Sequence, residues 1–399
     1  MKRSIALCTG AISAVALILS ACSAGGGSSL DDEDSQDTTV APDDTSFETD
    51  DDEGDTSGGT LCDNNPALDQ DNDGWTGAEG DCSDCDPNVN PGAIEVLTDA
   101  SDPNALQVDE NCNGEVDEPA YAACDDGLIL AEPDPMRAAQ ALDLCKTADA
   151  NGKDWGVIYA HFVRADGAVT TITPSIGMLS NFGPNVLPRD GSRMLGLSSG
   201  AARTLADPEN CDGDYSCSHA GPGLAPPGFP QDVPGCMGGG DINDDVGLEV
   251  RLRAPTNATG YSYDFMFYSF EYPEWVCTTF NDQYIALVTP APAGSINGNI
   301  SFDAQSNPVS VNIAFFDICP GCAGGVAEME GTGFNEWNDA GATGWLQTQA
   351  PVEGGSEFNI RFAIWDTGDT AFDSTVVLDN FKWIADGGSV AVGTLPVPR

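Results

Sequence analysis

Tyr261-Ser262-Tyr263-Asp264-Phe265-Met266-Phe267-Tyr268-Ser269-Phe270 decides the fold class. Tyr261, Tyr263, Phe265 and Phe267 recur at every second position, the period of a strand that turns one face to a core. Aromatic content of this kind favours strand over helix. Comparable runs lie on either side, at 155–164, 248–253, 284–289, 309–316, 358–365 and 375–383. Gly, Pro and Asn turns separate them. The pattern predicts a mainly β chain whose segment 155–390 forms an antiparallel β-sandwich, jelly-roll-like in kind. A Pro/Gly/Cys-rich insert at 206–240 reads as a stapled surface loop.

Working back from that segment, 120–154 reads as a helical connector. Asp134 can cap a helix, Pro135 suits its first turn, and Met136 to Cys145 continue with good helix formers. Ala150-Asn151-Gly152 would end it. Residues 62–119 form a small acidic module with too few large apolar residues for a core of its own, so metal or disulfides must hold it. Before it, 22–61 is Gly/Ser-rich and then Asp/Glu/Thr/Ser-rich, with almost nothing apolar to bury. This is a disordered acidic tether reaching roughly 35 Å as a coil and at most about 130 Å extended.

Residues 1–21 read as a secretory leader. Lys2 and Arg3 precede an apolar run from Ile5 to Ser20, shorter than the roughly 20 residues a spanning helix needs. Leu19-Ser20-Ala21-Cys22 follows, and this run resembles the lipobox of bacterial lipoproteins. The resemblance implies diacylglycerol on the Cys22 sulfur, cleavage before it and acylation of the new amino group. The membrane would then be a partner through lipid on Cys22, and two or more acyl chains anchor stably. Ser23 is a residue that, in that family, permits sorting to the outer membrane. The alternative is an ordinary cleaved signal with Cys22 incidental.

Charge narrows the partners. The chain has 64 acidic and 14 basic residues. Lys2 and Arg3 leave with the leader, so 12 basic residues remain, and none stands between Arg3 and Arg137, where 33 Asp and Glu lie. Nucleic acid is excluded as a partner class, because phosphate binding needs clustered basic residues. Such an excess repels itself unless cations neutralise it, and divalent cations are the natural candidates. Of 14 cysteines, Cys8 leaves and Cys22 takes lipid. Six of the rest fall between Cys62 and Cys145 and six between Cys211 and Cys322, which suits two stapled modules in an oxidising space. Cys124 with Cys145 is the most natural local pair.

The acidic module holds two loops with metal-ligand spacing. Asp69-Gln70-Asp71-Asn72-Asp73-Gly74 places carboxylates at alternate positions and glycine at the turn, as a hard cation such as calcium requires. The twelfth position is Gly80, where an EF-hand would have Glu, so this is not an EF-hand; Asp81, Asp84 and Asp86 stand ready to supply further oxygens. Asp109, Asn111 and Asn113 repeat the order before Gly114, with Asp117 and Glu118 to close the loop. The succession D-x-D-x-D-G, G-D-C-x-D, P-x-x-x-P-G-A-x-E (Pro87 to Glu95) and D-x-N-C-x-G-x-x-D-E resembles the metal-binding repeat of the MopE type. That resemblance implies a calcium-type module with a structural ion.

Within the β segment, Gly240-Asp241-Ile242-Asn243-Asp244, Phe265 to Glu274, Phe280-Asn281-Asp282 and Ile364 to Ser374 together resemble the choice-of-anchor L domain of bacterial surface proteins. Phe270 stands where the family usually has Glu. Glu271, Glu274, Asp282, Asp366, Asp369 and Asp373 fall at strand ends or turns, where they either bind a cation or sugar hydroxyls or simply fix turns and register. Only His161 and His219 are present, and neither sits in a paired-ligand motif. Gly196-Leu197-Ser198-Ser199-Gly200 fits G-x-S-x-G but lies in a β-rich region, and Cys319-Pro320-Gly321-Cys322 lacks a βαβ frame, which favours a structural disulfide. The leading expectation is a lipid-anchored, calcium-binding, non-enzymatic protein of the cell surface whose β domain meets an extracellular protein or glycan. The alternative is a surface hydrolase acting on glycans through paired carboxylates.

Overall fold

The computed structural model describes residues 65–98, 106–217, 219–313, 315–336, 339–385 and 387–398. The leader, Cys22, the 22–61 tether and Cys62 lie outside these residues. Thirteen strands follow in chain order: β1 (Gly156–Val163), β2 (Ile176–Leu179), β3 (Met194–Ser198), β4 (Ile242–Arg253), β5 (Gly260–Ser269), β6 (Gln283–Thr289), β7 (Val309–Ser310), β8 (Phe316–Ile318), β9 (Gly341–Thr343), β10 (Leu346–Pro351), β11 (Glu357–Thr367), β12 (Ser374–Ile384) and β13 (Gly393–Pro396). They form two antiparallel sheets. One runs β1-β4-β11-β6-β7, and the other runs β13-β10-β5-β12-β3-β2 with β9 added beside β5 and β8 beside β9. No helix among the described residues is long and apolar enough to cross a membrane.

The strand-period residues fill the space between the sheets. Tyr261, Tyr263, Phe265 and Phe267 of β5 share one core with Leu248, Val250 and Leu252 of β4 and Ile360, Phe362 and Ile364 of β11. Tyr263 meets Phe362 edge-on at 5.1 Å, and Phe265 lies 5.1 Å from Tyr284. These contacts give the expected sandwich its interior. β5 is buried along its whole length because its other face is covered too: Met266, Tyr268 and Phe270 pack with Phe182, Met329 and Phe334. The 206–240 insert likewise covers the outside of the first sheet, with Phe229 6.2 Å from Trp365. It is stapled by Cys211–Cys217 internally and by Cys236–Cys277 to the β5–β6 connection.

Two expectations are corrected. The run at 309–316 is not one strand but parts of two, β7 and β8. The helix is much shorter than Met136 to Cys145. Asp134 does cap it, accepting from the Met136 N–H at 2.9 Å. However, the α-helix spans only Pro135–Ala138 and continues as a 3-10 turn over Ala139–Leu142. Asp143 then takes a left-handed conformation (φ 63°), and its carboxylate accepts from the Asn380 N–H of β12. Tertiary contact there overrides local helix propensity. Cys145 is drawn to Cys124, the pair expected from spacing.

The acidic segment packs against the β-sheets within one compact unit. Ile94 is clamped at the β4–β5 turn: its N–H donates to Asn257 Oδ1 (3.0 Å), and Asn257 Nδ2 donates to its carbonyl (2.7 Å). The Thr256 N–H donates to the Gly92 carbonyl, and the Thr256 hydroxyl donates to Asn90 Oδ1. Val89, Ala93 and Ile94 are buried, so this segment gains from its neighbour the apolar burial it cannot supply itself. Lys153 adds contacts to Glu79 and to the Gly74 carbonyl.

Candidate metal centre

The first acidic loop winds around its own carboxylates. Asp69 accepts from the N–H groups of Asn72 (2.7 Å) and Gly74 (3.1 Å), Asp71 from that of Asp73, and Asp73 from that of Trp75 (2.7 Å). Gly74 has φ 95°, a conformation glycine adopts without cost. One oxygen each from Asp69, Asp71 and Asp73 lies within 4.8 Å of the others. Asp81, from the following turn, lies near enough for its charge to act on Asp73, and one of its oxygens caps the Ser83 N–H at 2.8 Å. Each of Asp71, Asp73 and Asp81 keeps its second oxygen buried and without a hydrogen-bond partner. Burial pushes all three carboxyls upward, Asp73 to about 6, and their neighbours' charges add to the rise. Buried oxygens that reject protein donors yet repel each other are what a hard cation satisfies.

The other nominated residues divide. Asp84 accepts from Gln70 through its backbone and side-chain amides and so steadies the loop. Asp86 is exposed and caps Asn88. In the second loop, Asp109 accepts from the N–H groups of Asn113 and Gly114, matching the role of Asp69. The amides of Asn111 and Asn113 both donate to one oxygen of Glu118, and its other oxygen is buried without a partner. A half-turn of either amide would present an oxygen instead. The Asp117 carboxylate accepts from the Thr98 N–H and hydroxyl and from Gln107, so it fastens the flanking chain. Cys82–Cys112 couples the two loops. Glu95 lies outside the ligand spacing of either loop. It is buried and accepts from the N–H groups of Asn111 and Asp117, so it positions the second loop, and its place at the end of the Pro87 to Glu95 motif was the available signal.

The β-domain acids gather at one end of the sandwich. Glu271, Asp282, Asp366 and Asp373 are all buried, whereas Glu274 is exposed and Asp369 half-buried, accepting from the Ala371 N–H. Burial pushes the carboxyls of Glu271, Asp282 and Asp373 up, with neighbouring carboxylates adding to the rise. Part of the set anchors loops: Asp282 accepts from the Thr367 N–H, Asp373 from the Cys217 N–H, and Asp244 from the N–H groups of His219, Ala220 and Gly221. Ser198 of the G-x-S-x-G run is buried at the end of β3 and bonded to Thr375 and the Ser374 carbonyl, away from any elbow. Cys319 and Cys322 form a disulfide.

Residues 243–382 match the choice-of-anchor L domain, a stretch running from within β4 into β12 and taking in all four buried acids. The match suggests a cell-surface, anchor-type protein. No curated protein and no solved structure matches the chain.

Proposed function

We propose that the chain is a lipid-anchored, calcium-binding protein of the bacterial cell surface, held at the outer membrane, that displays a non-catalytic β-sandwich to an extracellular protein or glycan. The observation that carries the calcium part is the trio of buried, unpartnered oxygens on Asp71, Asp73 and Asp81. Asp69, Asp71, Asp73 and Asp81 would hold one ion, and Asp109, Asn111, Asn113 and Glu118 a second. The ions would neutralise charge and fix the loops; no reaction is routed through them. The lipid part is supported by the Leu19-Ser20-Ala21-Cys22 run and the surface part by the choice-of-anchor L match. Glu271 is buried while Glu274 faces solvent, so these two acids do not form a pair open to a glycan, which favours binding over hydrolysis.

The test is thermal melting of the mature chain in calcium and in EDTA. Extracellular loops of this kind bind at roughly 0.1–1 mM, so about 2 mM calcium would add roughly 0.6–1.8 kcal/mol per site. Equal melting temperatures in calcium and EDTA would sink the calcium reading. In a bacterial host, Cys22→Ser should shift the chain from the membrane to the soluble fraction, and retention in the membrane would refute the lipid anchor.

A further inference from the structure

The apolar core between the sheets ends in a layer of acids. Along β5 the inward series is Phe265, Phe267 and Ser269, and Glu271 follows in the turn; along β11, Phe362 and Ile364 continue to Asp366. On β6, Tyr284 is the inward residue next to Asp282, and on β12, Val376 is next to Ser374. Two sheets thus bring Asp282, Asp366 and Ser374 to the same end of the core, where Glu271 accepts from the Asp282 N–H. The β6–β11 register pairs Trp365 with Gln283, so Asp366 comes directly across from Asp282. Like charges directly opposite on neighbouring strands repel. The Ser374 hydroxyl donates to Asp282 across the sheets at 2.6 Å, and Asp373 enters from the residue before β12.

Asp366 gives the independent sign of a ligand. It is 1 % exposed, and neither of its oxygens has a hydrogen-bond partner. The Ser199 hydroxyl and the Asp282 carboxyl lie beside it without closing a bond of normal geometry. Asp373 also keeps one oxygen buried and unpartnered. No ion pair among the described residues reaches any of these acids. The Asp373 carboxylate is also near Cys211 and Cys217, but those sulfurs are bonded to each other, so the donors here are oxygens.

We propose that Asp282, Asp366 and Asp373, completed by Glu271 and the Ser374 hydroxyl, bind a divalent cation inside the end of the sandwich, and that the ion is calcium. Oxygen-only donors select a hard cation, and a flexible set drawn from several strands suits the larger ion. This site is separate from the two acidic loops.

Calcium stoichiometry of the full mature chain, measured by equilibrium dialysis, tests it. The unaltered chain should bind one ion more than Asp366→Asn, which preserves the side-chain volume. Asp71→Asn should remove a different ion, so failure of the loop reading and failure of this one are told apart. Equal stoichiometry in folded Asp366→Asn and the unaltered chain would overturn the proposal and leave protons as what neutralises the acids. Should Asp366→Asn not fold, anomalous diffraction from calcium-grown crystals of the unaltered chain decides. A peak among Asp282, Asp366 and Asp373 supports the site, and its absence overturns it.

Discussion

Gly200 has no side chain where Asp373 leans in: a Cβ there would lie 1.9 Å from Asp373 Oδ2, which is held by the Cys217 N–H. The short Asp373 side chain cannot retreat without losing that bond. Gly200→Ala should therefore cost about 1–3 kcal/mol, as overpacking of a tight interior does, read as a lower denaturation midpoint with an unchanged slope. An unchanged midpoint would show that Asp373 moves freely. The sequence presents this glycine only as the end of a G-x-S-x-G run, and its purpose emerges when residues 173 positions apart meet. The loop acids are different: Asp69, Asp71 and Asp73 lie within one turn of chain, so their convergence was readable from spacing alone. Asp282 facing Asp366 depends on a register between strands 84 residues apart, which no local pattern carries.

At the scale of the element, the connector is ended by Asp143 rather than by the Ala150-Asn151-Gly152 turn. Asp143 and Asp379 of β12 form a carboxyl pair, with Asp190 and Asp125 nearby; the Arg189 N–H donates to Asp379, and the Arg189 guanidinium pairs with Asp264 at 3.1 Å. Burial raises both carboxyls of the pair, Asp143 to about 6 and Asp379 to about 8; the charges of Asp190 and Asp125 add to the rise at Asp143, against a hydrogen bond with Asp379 that lowers it, and the charge of Asp143 adds to the rise at Asp379. The folded pair therefore holds protons that the unfolded chain releases above about pH 4. Its stabilisation is fully present below that pH and is lost as pH rises through 6 and then 8. Asp379→Asn holds no proton, so at saturating calcium its stability relative to the unaltered chain should improve by at least about 1 kcal/mol from pH 5 to pH 8. A difference that stays flat with pH would refute the raised carboxyls. Strands rich in aromatic alternation were legible at this scale, β5 above all. β2 and β3 were not, because Gly177 and Gly196 interrupt them, and β10 was not, because Gln347, Thr348 and Gln349 read as a polar loop.

Across the whole molecule, the docking of the acidic segment links loop occupancy to the β-sheets. Asn257 is 5 % exposed and answers both backbone groups of Ile94. Asn257→Ala leaves two buried polar groups unpaired, which should cost about 2–4 kcal/mol and separate the melting of the acidic segment from that of the sheets. A single unshifted transition would show that the clamp is dispensable. Nothing in Thr256-Asn257 distinguishes it from any polar turn, which is why this contact was not legible. The disulfides add a mechanical meaning. If the chain is held at its N-terminus and pulled through its sheets, tension arriving at Cys82 crosses the Cys82–Cys112 bond and later the Cys124–Cys145 bond. Residues 86–98 and 125–144 then lie off the loaded path, the Ile94 clamp and the short helix among them. Oxidised, the protein bears load along a covalent shortcut; reduced, it would hang by the clamp.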